Sequence, residues 1–155
     1  LNPAPPPLRI LVDADACPVK DEIYRVALRH KVPVTVVSNS GLRVPREPLF
    51  EQVVVSEGFD AADNWIAETS HARCIVITSD ILLADRCLKA GASVISPTGK
   101  PFTLASIGSA IAVRAIMNDL RAGGDQIGGP APFGKADRSR FLQVLDSELT
   151  RMARG

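Results

Sequence analysis

Ile10-Leu11-Val12-Asp13-Ala14-Asp15-Ala16-Cys17-Pro18 decides how this chain is to be read. Three consecutive apolar residues with no polar alternation suit a strand buried on both faces, and such strands belong to parallel sheets covered by helices on either side. Two aspartates follow at once, and Pro18 stands where a first helical residue is tolerated because its missing N–H would lack a partner anyway. The stretch therefore reads as strand, acidic turn, helix, with Ile23, Val26 and Ala27 on the inward helix face.

The same unit recurs outward from this point. Val34 to Val37 is a second β-branched run closing in Ser38-Asn39-Ser40-Gly41, a turn that offers amide, hydroxyl and backbone donors. Gln52 to Val55 reads as a third strand, and Gly58-Phe59-Asp60 opens a helix reaching Thr69. Cys74 to Ile77 is a fourth strand, followed by a helix from Leu82 to Lys89 and a strand from Ser93 to Ile95. From Phe102 to Leu120 a helical pattern presents Leu104, Ile107, Ile111, Ala115 and Met117 as a stripe expected to dock on the sheet. A glycine- and proline-rich segment, Arg121 to Gly134, leads to a terminal helix with Phe141, Leu142, Leu145 and Leu149 at helical spacing. The expected fold class is α/β, a three-layer α/β/α sandwich on a mainly parallel sheet of order 3-2-1-4-5.

With 155 residues, 46% of them hydrophobic and 23% charged, the chain has the material for one packed domain and lies away from the disordered range. The organisation expected is a proline-rich tail over residues 1–7 and a single domain over 8–155. Eighteen basic against 17 acidic side chains leave a net charge of +1, so affinity for a polyanion has to be local. Cys17, Cys74 and Cys87 lack the paired spacing of zinc or redox sites, which favours a reducing compartment. No run approaches the roughly 20 apolar residues of a membrane span. A cytoplasmic protein without membrane association is expected.

In open α/β sheets ligands bind beyond the carboxyl ends of the strands where strand order reverses. Asp13 and Asp15 follow the first strand and Asp80 the fourth, which the expected order makes neighbours. Carboxylates crowded together raise one another's pKa unless a cation neutralises them, and hard oxygen ligands suit Mg²⁺ or Mn²⁺. Asp63, near a helix start, is a candidate fourth carboxylate. Plainer readings compete: Asp80 has the position of a helix cap, Asp60 could cap the helix that Asp63 merely favours electrostatically, and Asp85 pairs in spacing with Lys89. Cys17 is read as a small packing residue, since neither His30 nor His71 is near it in sequence. Asn39, Ser40 and Arg43 after the second strand, with Lys135 and Arg138 after the glycine-rich segment, are candidate phosphate ligands, though basic loops are commonly just solvated.

Val12-Asp13-Ala14-Asp15-Ala16-Cys17-Pro18, Arg43-Val44-Pro45, Gly58-Phe59-Asp60-Ala61-Ala62-Asp63, Ile77-Thr78-Ser79-Asp80 and Gly128-Gly129-Pro130 together resemble the bacterial YaiI/YqxD family, grouped with PIN-like nuclease folds. The resemblance runs from Ile10 to the last helix. It implies a PIN-like acidic site in which Asp13, with Asp15 as an optional partner, together with Asp63 and Asp80 binds Mg²⁺ or Mn²⁺, and by analogy hydrolysis of a phosphodiester, RNA being the expected partner. Ile10 to Cys17 also resembles the first motif of haloacid-dehalogenase-like phosphatases, with Val37-Ser38-Asn39 like their second. That resemblance implies Asp13 as nucleophile, Asp15 as acid/base and Asp80 on Mg²⁺. A metal- or nucleotide-binding module without turnover is the third reading.

Overall fold

A computed structural model describes residues 6–56, 58, 60–122 and 133–154, the side chains of residues 16, 121 and 122 excepted. Residues 1–5 of the proline-rich tail, Phe59, and residues 123–132 of the glycine-rich segment, Gly128-Gly129-Pro130 among them, lie outside the described residues. The central strands β1 (Arg9–Asp13) and β4 (Cys74–Ile77) pair in parallel, with Val12 opposite Ile77. On one side β2 (Val34–Ser38) and β3 (Phe50–Val54) extend the sheet, on the other β5 (Ser93–Ile95) and β6 (Pro101–Phe102). The order is β3-β2-β1-β4-β5-β6, parallel except for β6, which pairs antiparallel with β5. The expected order 3-2-1-4-5 is therefore correct, with one further edge strand.

Strand parity sorts the core into two layers. Ile10 and Val12 join Ile75 and Ile77 beneath α1 (Lys20–His30) and α5 (Lys135–Arg154), where Phe141, Leu145 and Leu149 are fully buried. Leu11, Val37, Cys74 and Val76 point the other way, under α2 (Ala61–Thr69), α3 (Ile81–Lys89) and Ile107 of α4 (Leu104–Ala122). Asp13 lies two residues after Leu11, so its side chain leaves the sheet on the α2 and α3 side.

Three local expectations are corrected. A single 3-10 turn over Ala14–Ala16 follows β1, so α1 begins at Lys20 and Pro18 lies in the turn before it. Its first turn is closed by Ile23 donating to the Val19 carbonyl at 3.0 Å. Asp60 occupies the N-cap position of α2 but makes no side-chain cap bond. The stripe on α4 docks only in part: Ile107 is buried in the cluster on this face and Ile111 is half-buried against it, while Leu104 and Ala115 are exposed.

Candidate functional site

The register sets the chemistry of the sheet's carboxyl edge. Because Val12 faces Ile77, the next residues, Asp13 and Thr78, come side by side, and the Thr78 hydroxyl donates to Asp13 Oδ2 at 2.8 Å. The same hydroxyl accepts from the Asp80 backbone N–H at 3.0 Å, so one buried threonine ties the acid of β1 to the start of α3. Asp80 caps that helix, Oδ1 accepting from the N–H groups of Leu82 and Leu83 at 2.9 and 3.2 Å. The capping expectation for Asp80 holds, and capping engages Oδ1 alone. Asp63, in the first turn of α2, faces the same point.

Electrostatics report how close these acids are. Burial, and after it the negative charges of Asp80, Asp13 and Asp60, push the Asp63 carboxyl up to about 6. Asp13 is also raised, by burial first, with Asp80 and Asp15 adding to it and the Thr78 hydrogen bond opposing. Asp15 is exposed and turned toward β2, accepting from the Asn39 backbone N–H at 3.1 Å. It therefore joins the turn after β1 to the turn after β2. Among the described residues no group of three or more His, Cys, Asp or Glu side chains is arranged to hold a metal ion. The acids gather, but not as a closed protein cage.

Beside them is a cavity of about 420 Å³ lined by Asp60, Asp63, Asp80, Leu82, Leu83, Arg86 and Arg114. Arg43, Lys135 and Arg138 are not part of its lining. Arg138 donates to the Pro18 carbonyl at 2.8 Å and to Glu22 at 3.0 Å, and its guanidinium lies 4.9 Å from the Phe133 ring centre, which fixes α5 to α1. Asn39, Ser40, Arg43 and Lys135 are exposed. Asp85 forms the expected pair with Lys89 at 2.9 Å, and Cys17 is buried in the core, its thiol pushed up by burial.

Sequence reasoning assigned no role to Thr78, Lys20, Arg86 or Arg114. Thr78 was visible only as a polar residue ending a buried strand. Arg114 carried a clearer signal, being the single charged residue between Leu104 and Met117. Lys20 donates from Nζ to the Ala14 and Cys17 carbonyls at 3.3 and 3.1 Å, holding the turn that follows Asp13. Lys20→Met should therefore cost about 1–2 kcal/mol of stability, read as a lower urea midpoint with an unchanged slope.

A family model described as "Uncharacterized BCR, YaiI/YqxD family" matches residues 11–151. The chain belongs to the YaiI/YqxD family. Its similarity to other members extends over nearly the whole domain. A "UPF0178 protein" of Sphingopyxis alaskensis is 73% identical over 147 residues, 94% of this chain and 96% of the relative. "UPF0178 protein bll3966" of Bradyrhizobium diazoefficiens is 60% identical over 148 residues, covering 96% and 89% of the two chains. A "UPF0178 protein" of Nitrobacter winogradskyi is 58% identical over 147 residues, covering 95% and 94%. No solved structure matches this YaiI/YqxD chain. No helix among its described residues is long and apolar enough to cross a membrane.

Proposed function

We propose that this protein is a divalent-metal-dependent phosphodiesterase acting on RNA, with Asp63 and Asp80 holding Mg²⁺ or Mn²⁺ and Asp13 beside them. The observation that carries this reading is the gathering of three carboxylates from β1, α2 and the cap of α3 at the carboxyl edge of the two central strands, where burial first and the charges of Asp80 and Asp13 after it lift Asp63 to about 6. Holding like charges together is a standing cost to the folded chain that a bound cation would remove.

The residues fit such an ion as an open site. Mg²⁺ commonly takes one or two carboxylates and completes its shell with water and substrate phosphate, so a cage of three protein ligands is not required. Asp80 keeps Oδ2 clear of its capping bonds, and Asp63 lines the same cavity, so the two together would supply the carboxylate pair. Bound there, the ion would offset phosphate charge and polarise the phosphoryl group. Asp13 has one oxygen committed to Thr78, which fixes its rotamer. Its other oxygen, Oδ1, would accept a proton from the attacking water, and the raised pKa of the group favours that task. Asp15, turned to Asn39, keeps the loop after β2 against the turn.

The test is calorimetric titration of Mn²⁺ into the wild type and Asp13→Asn at neutral pH, followed by an assay of RNA cleavage in Mn²⁺. The wild type is expected to bind and cleave, and the variant to keep its fold, lose cleavage and bind the ion more weakly. Unchanged cleavage by Asp13→Asn would overturn the reading. Saturable binding with no product, contaminating nuclease excluded, would show a binding module instead, and a phosphoaspartate trapped on Asp13 would show a phosphatase.

A further inference from the structure

We infer that Arg86 and Arg114 bind the phosphate of the substrate, entering from the α3 and α4 side of the acidic site; this rests on the metal-dependent reading above and assigns its substrate contacts. The cavity of about 420 Å³ is lined by three acids, Asp60, Asp63 and Asp80, by Arg86 and Arg114, and by Leu82 and Leu83. Its size is that of a small-ligand pocket.

The state of the two arginines separates a binding role from a structural one. Guanidinium groups beside carboxylates in a merely structural arrangement close into ion pairs, as Arg138 does with Glu22 at 3.0 Å and Arg29 with Asp146 at 3.3 Å. Among the described residues neither Arg86 nor Arg114 has a carboxylate within ion-pair distance, although three acids line the same cavity. Arg86 is held instead by a neutral partner, Nη1 donating to Asn64 Oδ1 at 2.8 Å. Asn64 adjoins Asp63 on α2, so one helix turn sets both the carboxylate and the guanidinium. Among the described residues nothing else engages the remaining donors of Arg86 or the fork of Arg114, which leaves them for an anion.

Opposite charges held apart across one small cavity suit a ligand that carries anionic oxygens and also completes a cation's shell. A phosphate does both, and arginine engages it through two parallel N–H bonds. The same chemistry is presented by a free nucleotide and by a strand of nucleic acid.

Three exposed arginines are each changed to glutamine: Arg86→Gln, Arg114→Gln and, as a control for lost charge on the far face, Arg25→Gln. Binding of uridine monophosphate and of a short fluorescent oligouridylate is measured with Ca²⁺ filling the oxygen site, and Mn²⁺ binding is titrated separately. Each cavity variant is expected to bind the phosphate probes about tenfold more weakly, with a shallower salt dependence for the oligomer, while its thermal midpoint and Mn²⁺ affinity stay at wild-type values. Equal weakening of monophosphate and oligomer would identify a nucleotide site, and weakening confined to the oligomer a strand site. Affinity unchanged in both variants, an equal loss in Arg25→Gln, or no binding of either probe by a wild type that takes up Mn²⁺ would overturn the assignment. A wild type that binds the probes through these arginines but takes up no Mn²⁺ would overturn the metal reading alone.

Discussion

Gly99→Ala is expected to destabilise the protein by roughly 2–4 kcal/mol, lowering the thermal midpoint by about 10 °C. Gly99 closes the β5 to β6 hairpin with φ of 84°, in the left-handed region that costs any residue with a Cβ. Its N–H donates to the Ser96 carbonyl at 2.9 Å, and Ser96 N–H donates to the Lys100 carbonyl at 2.9 Å, so the turn cannot open without breaking the pairing of the edge strand. A Cβ at position 99 would stand 2.7 Å from the Phe141 backbone nitrogen and 2.8 Å from the Arg140 carbonyl carbon. Those are backbone atoms of α5, which have no rotamer to yield. Relief requires α5 to move, and α5 carries Phe141, Leu145 and Leu149 into the core. Thermal unfolding monitored by circular dichroism measures the loss; a midpoint within 2 °C of wild type would show that the hairpin and α5 reseat freely.

The second expected result concerns Asp63→Asn, which should abolish divalent-ion binding and make the ion-free protein more stable at alkaline pH. In the folded protein the Asp63 carboxyl is raised from 3.8 to about 6, so between those values the folded state holds a proton that the unfolded state has released. Stability therefore falls as pH rises through that window and stays reduced above it. Taken at face value the shift amounts to about 3 kcal/mol, and solvent screening of a half-exposed group reduces it to about 1 kcal/mol. Asparagine carries no charge, so the variant should gain about 3 °C in thermal midpoint near pH 8 and nothing near pH 3, where both forms are neutral. Mn²⁺ should raise the wild-type midpoint and leave that of the variant unchanged, because an ion stabilises a fold only through binding to it. Equal stability of the two proteins near pH 8 would show that Asp63 is not strained, and a Mn²⁺-dependent rise in Asp63→Asn that it is not a ligand. A residue whose removal strengthens the fold while removing an activity is what a functional site held against its own electrostatics requires.

Strands announced themselves where apolar residues ran without alternation, at Ile10 to Val12, Val34 to Val37 and Cys74 to Ile77, since only a sheet covered on both faces buries every side chain of such a run. β3 begins two residues before the expected Gln52 because this edge strand is only partly covered on either face, with Glu51 and Gln52 both exposed, and periodicity locates such an edge poorly. β6 passed unnoticed. Two residues have no period, although Pro97 and Gly99 in Ser96-Pro97-Thr98-Gly99 carried a turn signal. Helix α4 was legible only in part, because an apolar stripe specifies that a face be covered without specifying how far along the helix, and the cover reaches only Ile107 and Ile111.

The acids at the strand ends were legible for a related reason. A carboxylate directly after a buried strand is forced to the sheet's carboxyl edge, whatever the rest of the chain does, so Asp13 and Asp80 could be placed from local pattern and strand order. Which way each side chain turns depends on register and on neighbours distant in sequence. Val12 opposite Ile77 brings Thr78 to Asp13, while Asn39 draws Asp15 toward β2. The packing of α5 on α1 engages Arg138, a residue whose position in a basic loop gave no hint of it, and the packing of α2, α3 and α4 around one cavity brings Arg86 and Arg114 to Asp63 and Asp80. Local pattern sets the type of each element and the end at which charge collects, because both follow from burial along a few residues. The partners of each charge follow from contacts between segments up to about a hundred residues apart, which no window of the chain contains.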